Sequence, residues 1–291
     1  MRIFQVDAFT GMRFTGNPAT VVLDADGQSD ATLQAIAREF SHAETAFVFT
    51  PTAPDHDLKL RFFNARKESP FVGHATVAAH AVLLELGRRS PGVCRQLSGT
   101  GVIEVRAQGG LIQFRQTTPE LDTPLPFKTT LRVAEALRLP ATLLHDAMPA
   151  RIARKGSTRL LVPVSAVEAL ESLAPNIETL LALGCELGTD GYFVFWVNRD
   201  TNPLSTESRM FCPALGINED PVSGNAHSML ASYLWDLRVL TKKSTGFVGH
   251  QGRQMGRPGR VDVILDIERE ELAAVRIGGH AVIVSEGNLA A

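Results

Sequence analysis

Three polar side chains fall at places where proton chemistry is plausible. Glu44 stands between a helical segment and the apolar run TAFVF (45–49). A carboxylate at the edge of an apolar pocket has its pKa raised, which suits a group that must accept and then return a proton near neutral pH. Position alone favours a plainer role, a solvated glutamate at a helix-to-strand turn. His74 heads a second helical segment. A helix N-terminus disfavours added positive charge, so a neutral imidazole is expected there, able to bond a substrate or to orient an acid. A satisfied structural histidine is an equal reading. Asp220 precedes a third such segment, where it fits a turn cap as well as a polar contact to a substrate amine or to His74. Behind it, Ser223, Gly224 and Asn225 offer backbone donors for a carboxylate. His42, His80 and His227 are weaker candidates, and Gln251 with Gly252 fits the rim of a site.

The helix starts that carry these residues are related. Residues 68–75 read ESPFVGHA and residues 219–226 read EDPVSGNA. They align without gaps, with Glu, Pro, Gly and Ala identical, and each leads into an apolar helix. Upstream, RFF (61–63) resembles RMF (209–211). Chance likeness of two turn-to-helix junctions is the alternative, since turns favour Pro and Gly in any case. As an internal repeat, each copy sets a glycine turn at a helix start, where the first N–H groups lack partners and the dipole is positive. Two such starts facing each other would make a cleft with donors on both walls.

The elements that must position these groups follow from periodicity. Strands are expected at 2–9, 19–23, 45–49 and 58–63, with turn signals at Gly16, Asn17 and Pro18. A helix capped by Asp30 carries Leu33, Ile36, Ala37 and Phe40 on one face. The segment 74–87 is apolar nearly all round, which predicts a helix buried on every side, with Gly87 as its C-cap. Strands at 101–107 and 111–115 follow. Pro119, Pro124 and Pro126 mark a boundary within 117–130. Beyond it the pattern predicts helices at 130–138, 165–172, 176–183 and 225–237. Strands are expected there at 159–163, 191–197, 260–266 and 271–277. The division is therefore 1–120 and 121–279, with the strand near 280–291 returning to the first half.

Composition excludes several classes. Hydrophobic residues make up 44% and charged residues 21% of 291 positions, enough for a substantial core. The net charge is −2, with no basic cluster of the kind that binds nucleic acid. No apolar run reaches membrane-spanning length and the N-terminus lacks a signal-peptide core, so a cytoplasmic protein is the default. Cys94, Cys185 and Cys212 form no metal-ligand spacing and read as reduced thiols.

The combination of VDAFTG–F–GNPATVV (6–22), IAREFSHAETAFV (36–48), ESPFVGHATVAAHAVL (68–83), RMFCPALGINEDPVSGNA (209–226) and GHQGRQMGRPG (249–259) resembles the PhzF-like proteins. The resemblance runs over nearly the whole length and is nearer to the uncharacterised bacterial members than to the phenazine enzyme. It implies an α+β fold of the diaminopimelate epimerase type: two pseudo-symmetric domains, each a curved mixed sheet wrapped around a central helix. It also implies a site between the domains, with Glu44 as catalytic glutamate, His74 and Asp220 beside it, and Gly73, Ser223, Gly224 and Asn225 binding substrate. The implied enzyme is an isomerase that needs no cofactor or metal, acts on a small carboxylic acid, and forms a homodimer. Asn225 and Ala43 each stand where the phenazine pattern has serine, which bears on substrate contacts.

Cysteine-dependent epimerases of this fold carry a thiol before the glycine of each helix start. Here those positions hold Val72 and Ser223. Valine carries no proton and an unactivated hydroxyl is a weak base, so a two-thiol mechanism is not expected. Two rivals remain. One is a Ser223 hydrolase using His74 and Asp220, although VSG lacks the first glycine of a nucleophile elbow. The other is a non-catalytic small-molecule-binding protein of the same fold.

Overall fold

The structure is a computed structural model and describes residues 1–40 and 44–290. His42 and Ala43 lie outside the described residues. The chain folds into two compact units, Met1–Arg115 with Ile277–Ala291, and Gln116–Arg276.

The first unit runs β1 (Arg2–Ala8), β2 (Asn17–Val22), α1 (Asp30–Phe40), β3 (Glu44–Phe49), β4 (Leu58–Phe63), β5 (Glu68–Ser69), α2 (Gly73–Glu85), β6 (Gly92–Ser98), β7 (Gly101–Gln108) and β8 (Leu111–Thr117). The second unit runs β9 (Glu120–Leu121), α3 (Phe127–Leu137), β10 (Arg151–Lys155), β11 (Ser157–Pro163), α4 (Glu168–Ser172), α5 (Ile177–Leu187) and β12 (Gly191–Asn198). It continues through β13 (Ser205–Cys212), β14 (Ile217–Asp220), α6 (Gly224–Asp236), β15 (Gly246–Gln251), β16 (Gly259–Glu268) and β17 (Glu271–Gly279), and β18 (Ala281–Asn288) then pairs antiparallel with β1.

The strands of the two units repeat one pattern. In the first, β1 pairs antiparallel with β2, β2 parallel with β3, β3 antiparallel with β4, and β4 parallel with β6. In the second, β10, β11, β12, β13 and β15 follow in the same senses. In each unit the strands wrap one thirteen-residue helix, α2 or α6. Residues Ala75–His80 of α2 are all buried, as are Ala226–Trp235 of α6. A helix apolar on every face has no stable position except inside, and burying it supplies much of the core.

The repeat extends to side chains. Arg61 grips Glu68 through Nε and Nη2 at 2.8 and 2.7 Å, and Arg209 grips Glu219 likewise at 2.8 and 2.9 Å. Each guanidinium also lies over the ring two residues on, 5.1 Å from Phe63 and 5.0 Å from Phe211. The two fork-shaped pairs tie the strand before each helix to the short strand that leads into it.

Several local expectations shift. Ser29, not Asp30, caps α1, its Oγ accepting the Thr32 N–H at 3.1 Å. Gly87 sits one place beyond the Leu86 cap of α2 in the left-handed region. Helix α3 begins at Phe127, directly after Pro126. Strands β6, β10, β13 and β15 carry too many polar or glycine residues to alternate cleanly, and their pairing partners define them instead.

Candidate functional site

In the first unit, β3 opens with Glu44, opposite Ala19 of β2. Helix α2 opens with Gly73 and His74. The elements bring the two candidate side chains together: His74 Nε2 lies 3.7 Å from Glu44 Oε2, with the side chains 12% and 16% exposed. That gap exceeds a hydrogen bond, and Nε2 has no hydrogen-bond partner among the described residues. Burial pushes the His74 pKa down to about 4, so the imidazole is neutral near pH 7. Gly73 is required by packing, since a Cβ there would come 2.8 Å from Cζ of Phe114.

The α2 start is open. Its cap position, Val72, has no side-chain oxygen, and the N–H groups of Gly73, His74 and Ala75 have no hydrogen-bond partner among the described residues. The first ladder bond runs from Thr76 N–H to Val72 O at 2.9 Å.

In the second unit, Asp220 ends β14 and Ser223 caps α6. The cap assigned to Asp220 from sequence thus belongs to Ser223, whose Oγ accepts the Ala226 N–H at 3.2 Å. The Asn225 amide donates to Lys155 O at 3.2 Å and to Ser157 Oγ at 3.0 Å, fastening the helix start to the β10–β11 hairpin. Gly224 and Asn225 keep unpartnered N–H groups among the described residues. The nearby imidazole, His227, bonds Ser223 O through Nδ1 at 2.7 Å and leaves the hydroxyl unactivated, which weighs against a serine nucleophile.

Other candidates resolve into structural roles. His80 is fully buried between Arg89 and Gln96, its Nε2 at 2.9 Å from Gln96 Oε1. Gln251 is 2% exposed and is therefore not a rim residue. Cys212 is wholly buried and its thiol is pushed up to about 12, which makes it inert as a base. A cavity of about 760 Å³ in the second unit is lined by Lys155, Ser157, Cys185 and Asp190 but by none of the predicted site residues.

The fold is of the diaminopimelate-epimerase type, and the relatives it brings with it are isomerases. The family described as phenazine biosynthesis-like protein (PhzC-PhzF) matches residues 6–287, and the chain belongs to it. Relatives include the uncharacterized isomerase YddE of Escherichia coli K12, 35% identical, with 97% of this chain and 96% of that protein covered. An uncharacterized isomerase of Clostridium acetobutylicum is 33% identical, with 99% and 97% covered. The Bacillus anthracis phenazine biosynthesis protein of the PhzF family superposes with a TM-score of 0.87 at 26% identity, over 100% of this chain and 99% of that one. A hydroxyproline epimerase from Agrobacterium vitis shares the fold alone, with a TM-score of 0.65 at 11% identity over 99% and 91%. No helix among the described residues is long and apolar enough to cross a membrane.

Proposed function

We propose that the protein moves a proton within a small carboxylic acid, using Glu44 as a single acid–base group. Glu44 takes a proton from carbon next to an unsaturated or carbonyl-conjugated system and returns it elsewhere on the same face. His74, neutral, donates or accepts a hydrogen bond beside it, and the open donors at the α2 start hold the substrate carboxylate. In the second unit, Asp220 and the α6 donors are the candidates for orienting a substrate and balancing charge. Neither a metal nor an organic cofactor takes part in this reading.

The carrying observation is the Glu44–His74 pair, two nearly buried groups 3.7 Å apart with the imidazole held neutral. The internal repeat supports a single acid over a pair of opposed bases. Strand β11 starts at Ser157 after Gly156, as β2 starts at Asn17 after Gly16. Two residues on, Ala19 faces Glu44 whereas Arg159 faces Gly191. The second unit thus carries glycine where the first carries its acid, and Asn225 where the first carries His74.

The test is incorporation of solvent deuterium into a panel of small cyclic and amino-acid-like carboxylic acids, followed by NMR. Turnover that Glu44→Gln lowers by about 100-fold or more fits the proposal. Full activity in Glu44→Gln refutes it, and tight binding of an acid without exchange favours the non-catalytic binding protein.

A further inference from the structure

The α6 start differs from the α2 start in being held from three sides, by Ser223 within the repeated motif and by Gln251 and His227 outside it. The buried amide of Gln251 spans the turn before α6. Its Oε1 accepts the Ser223 N–H at 3.0 Å and its Nε2 donates to Asp220 O at 2.6 Å. His227 Nδ1 donates to Ser223 O at 2.7 Å, and Ser223 Oγ takes the Ala226 N–H. The N–H, the carbonyl and the hydroxyl of Ser223 are therefore all engaged.

The first unit has no such bracket. Gly252 packs against Pro221, where a Cβ would meet the proline carbonyl at 2.7 Å, and Gly99 packs against Pro70, where a Cβ would meet the proline Cα at 2.8 Å. These contacts place Ser98 at the position of Gln251. Ser98 is too short to span a turn, and its hydroxyl bonds Thr100 and Gly101 O instead. Thr76 stands in α2 where His227 stands in α6. Among the described residues no side chain bonds both Ser69 and Val72.

We infer that Gln251 is the positioning residue of the α6 start, fixing Asp220 and the α6 donors in one arrangement. The amide sets the distance between the Asp220 carbonyl and the Ser223 N–H. It thereby fixes the backbone from which the Asp220 carboxylate projects, and leaves Gly224 and Asn225 as the free donors. A rigid Asp220 places substrate without an ordering cost at each turnover. The role in turnover rests on the isomerase reading; the bracket itself does not.

The experiment uses the full chain with Gln251→Leu and Gln251→Glu. Residue-resolved amide hydrogen exchange reads the bracket without any substrate. In Gln251→Leu the Ser223 amide is expected to exchange about tenfold faster or more, while α3 and α5 stay unchanged. Gln251→Glu keeps the acceptor for Ser223 and restores most of the protection. Wild-type exchange at Ser223 in the leucine variant overturns the bracket. Turnover is then measured with the acid found by deuterium incorporation. Gln251→Leu is expected to lower kcat about tenfold or more with KM changed less than about threefold, and Gln251→Glu to recover part of it. Fast Ser223 exchange with wild-type kcat overturns the positioning role. Turnover that survives Glu44→Gln removes Glu44 as the acid–base group, and the Ser223 exchange rate still decides the bracket.

Discussion

At the scale of single residues, the chemistry depends on groups kept in unusual states by their surroundings. His74 is neutral because burial denies its cation water, and a neutral ring can both donate and accept beside Glu44. A close approach is equally decisive at Gly249. A Cβ there would lie 2.0 Å from Cδ2 of His227, so any side chain must displace the ring that holds Ser223. Gly249→Ala is expected to destabilise the second unit by about 1–3 kcal/mol, read from urea unfolding, through overpacking of a fully buried site. Wild-type stability in that variant would mean that the ring has another place to go.

Elements show what the repeat preserves and what it lets drift. Both units keep the arginine–glutamate grip, but its surroundings differ. Arg209 and Glu219 are 10% and 17% exposed, and Arg209 Nη1 also bonds Leu170 O and Leu173 O. Arg61 and Glu68 are 20% and 43% exposed. Arg209→Met strands a nearly buried carboxylate and is expected to cost about 3 kcal/mol or more. Arg61→Met is expected to cost about 1 kcal/mol or less, because water screens what remains. Equal losses in the two variants would contradict the burial argument. The helix starts drift in the opposite sense. Val72 and Ser223 share extended backbone, with φ −138° and −116°, yet only Ser223 caps its helix. Val72→Ser should cap α2 and stabilise the first unit by about 1 kcal/mol, seen as a higher urea midpoint. On the proposed reading the same hydroxyl occupies the Ala75 N–H and lowers turnover.

For the molecule as a whole, three buried histidines link stability to pH. Burial pushes His74 and His227 down to about 4 and, with the Arg89 cation beside it, His80 down to about 3, from an ordinary 6.5. The unfolded chain takes up these protons near pH 6.5, whereas the folded chain refuses them. Their contribution is therefore full above about pH 6.5 and is lost as pH falls toward 4 and 3. Each group removes about 1 kcal/mol per pH unit in that window. Urea midpoints measured from pH 7.5 to 4.5 should fall steeply, and replacing His80 with an uncharged residue should flatten the slope. A flat profile in the native protein would mean that these rings are protonated when folded.

Much of this was legible in the chain itself. The paired ESPFVGHA and EDPVSGNA motifs, each before an apolar helix, pointed to two like units, and the all-round apolar segment 74–87 determined that the first would bury its helix, because such a helix has nowhere else to go. The same motifs marked the residues at the helix starts, and Glu44 at the mouth of an apolar strand. Only tertiary structure decided how those starts differ. Gln251 reaches Asp220 and Ser223 from β15, and nothing in its local sequence separates it from a surface residue. Likewise the 3.7 Å between Glu44 and His74 arises where a strand end meets a helix end. Contacts between groups far apart in sequence depend on how elements pack, and periodicity along the chain records which face is buried but not what it meets.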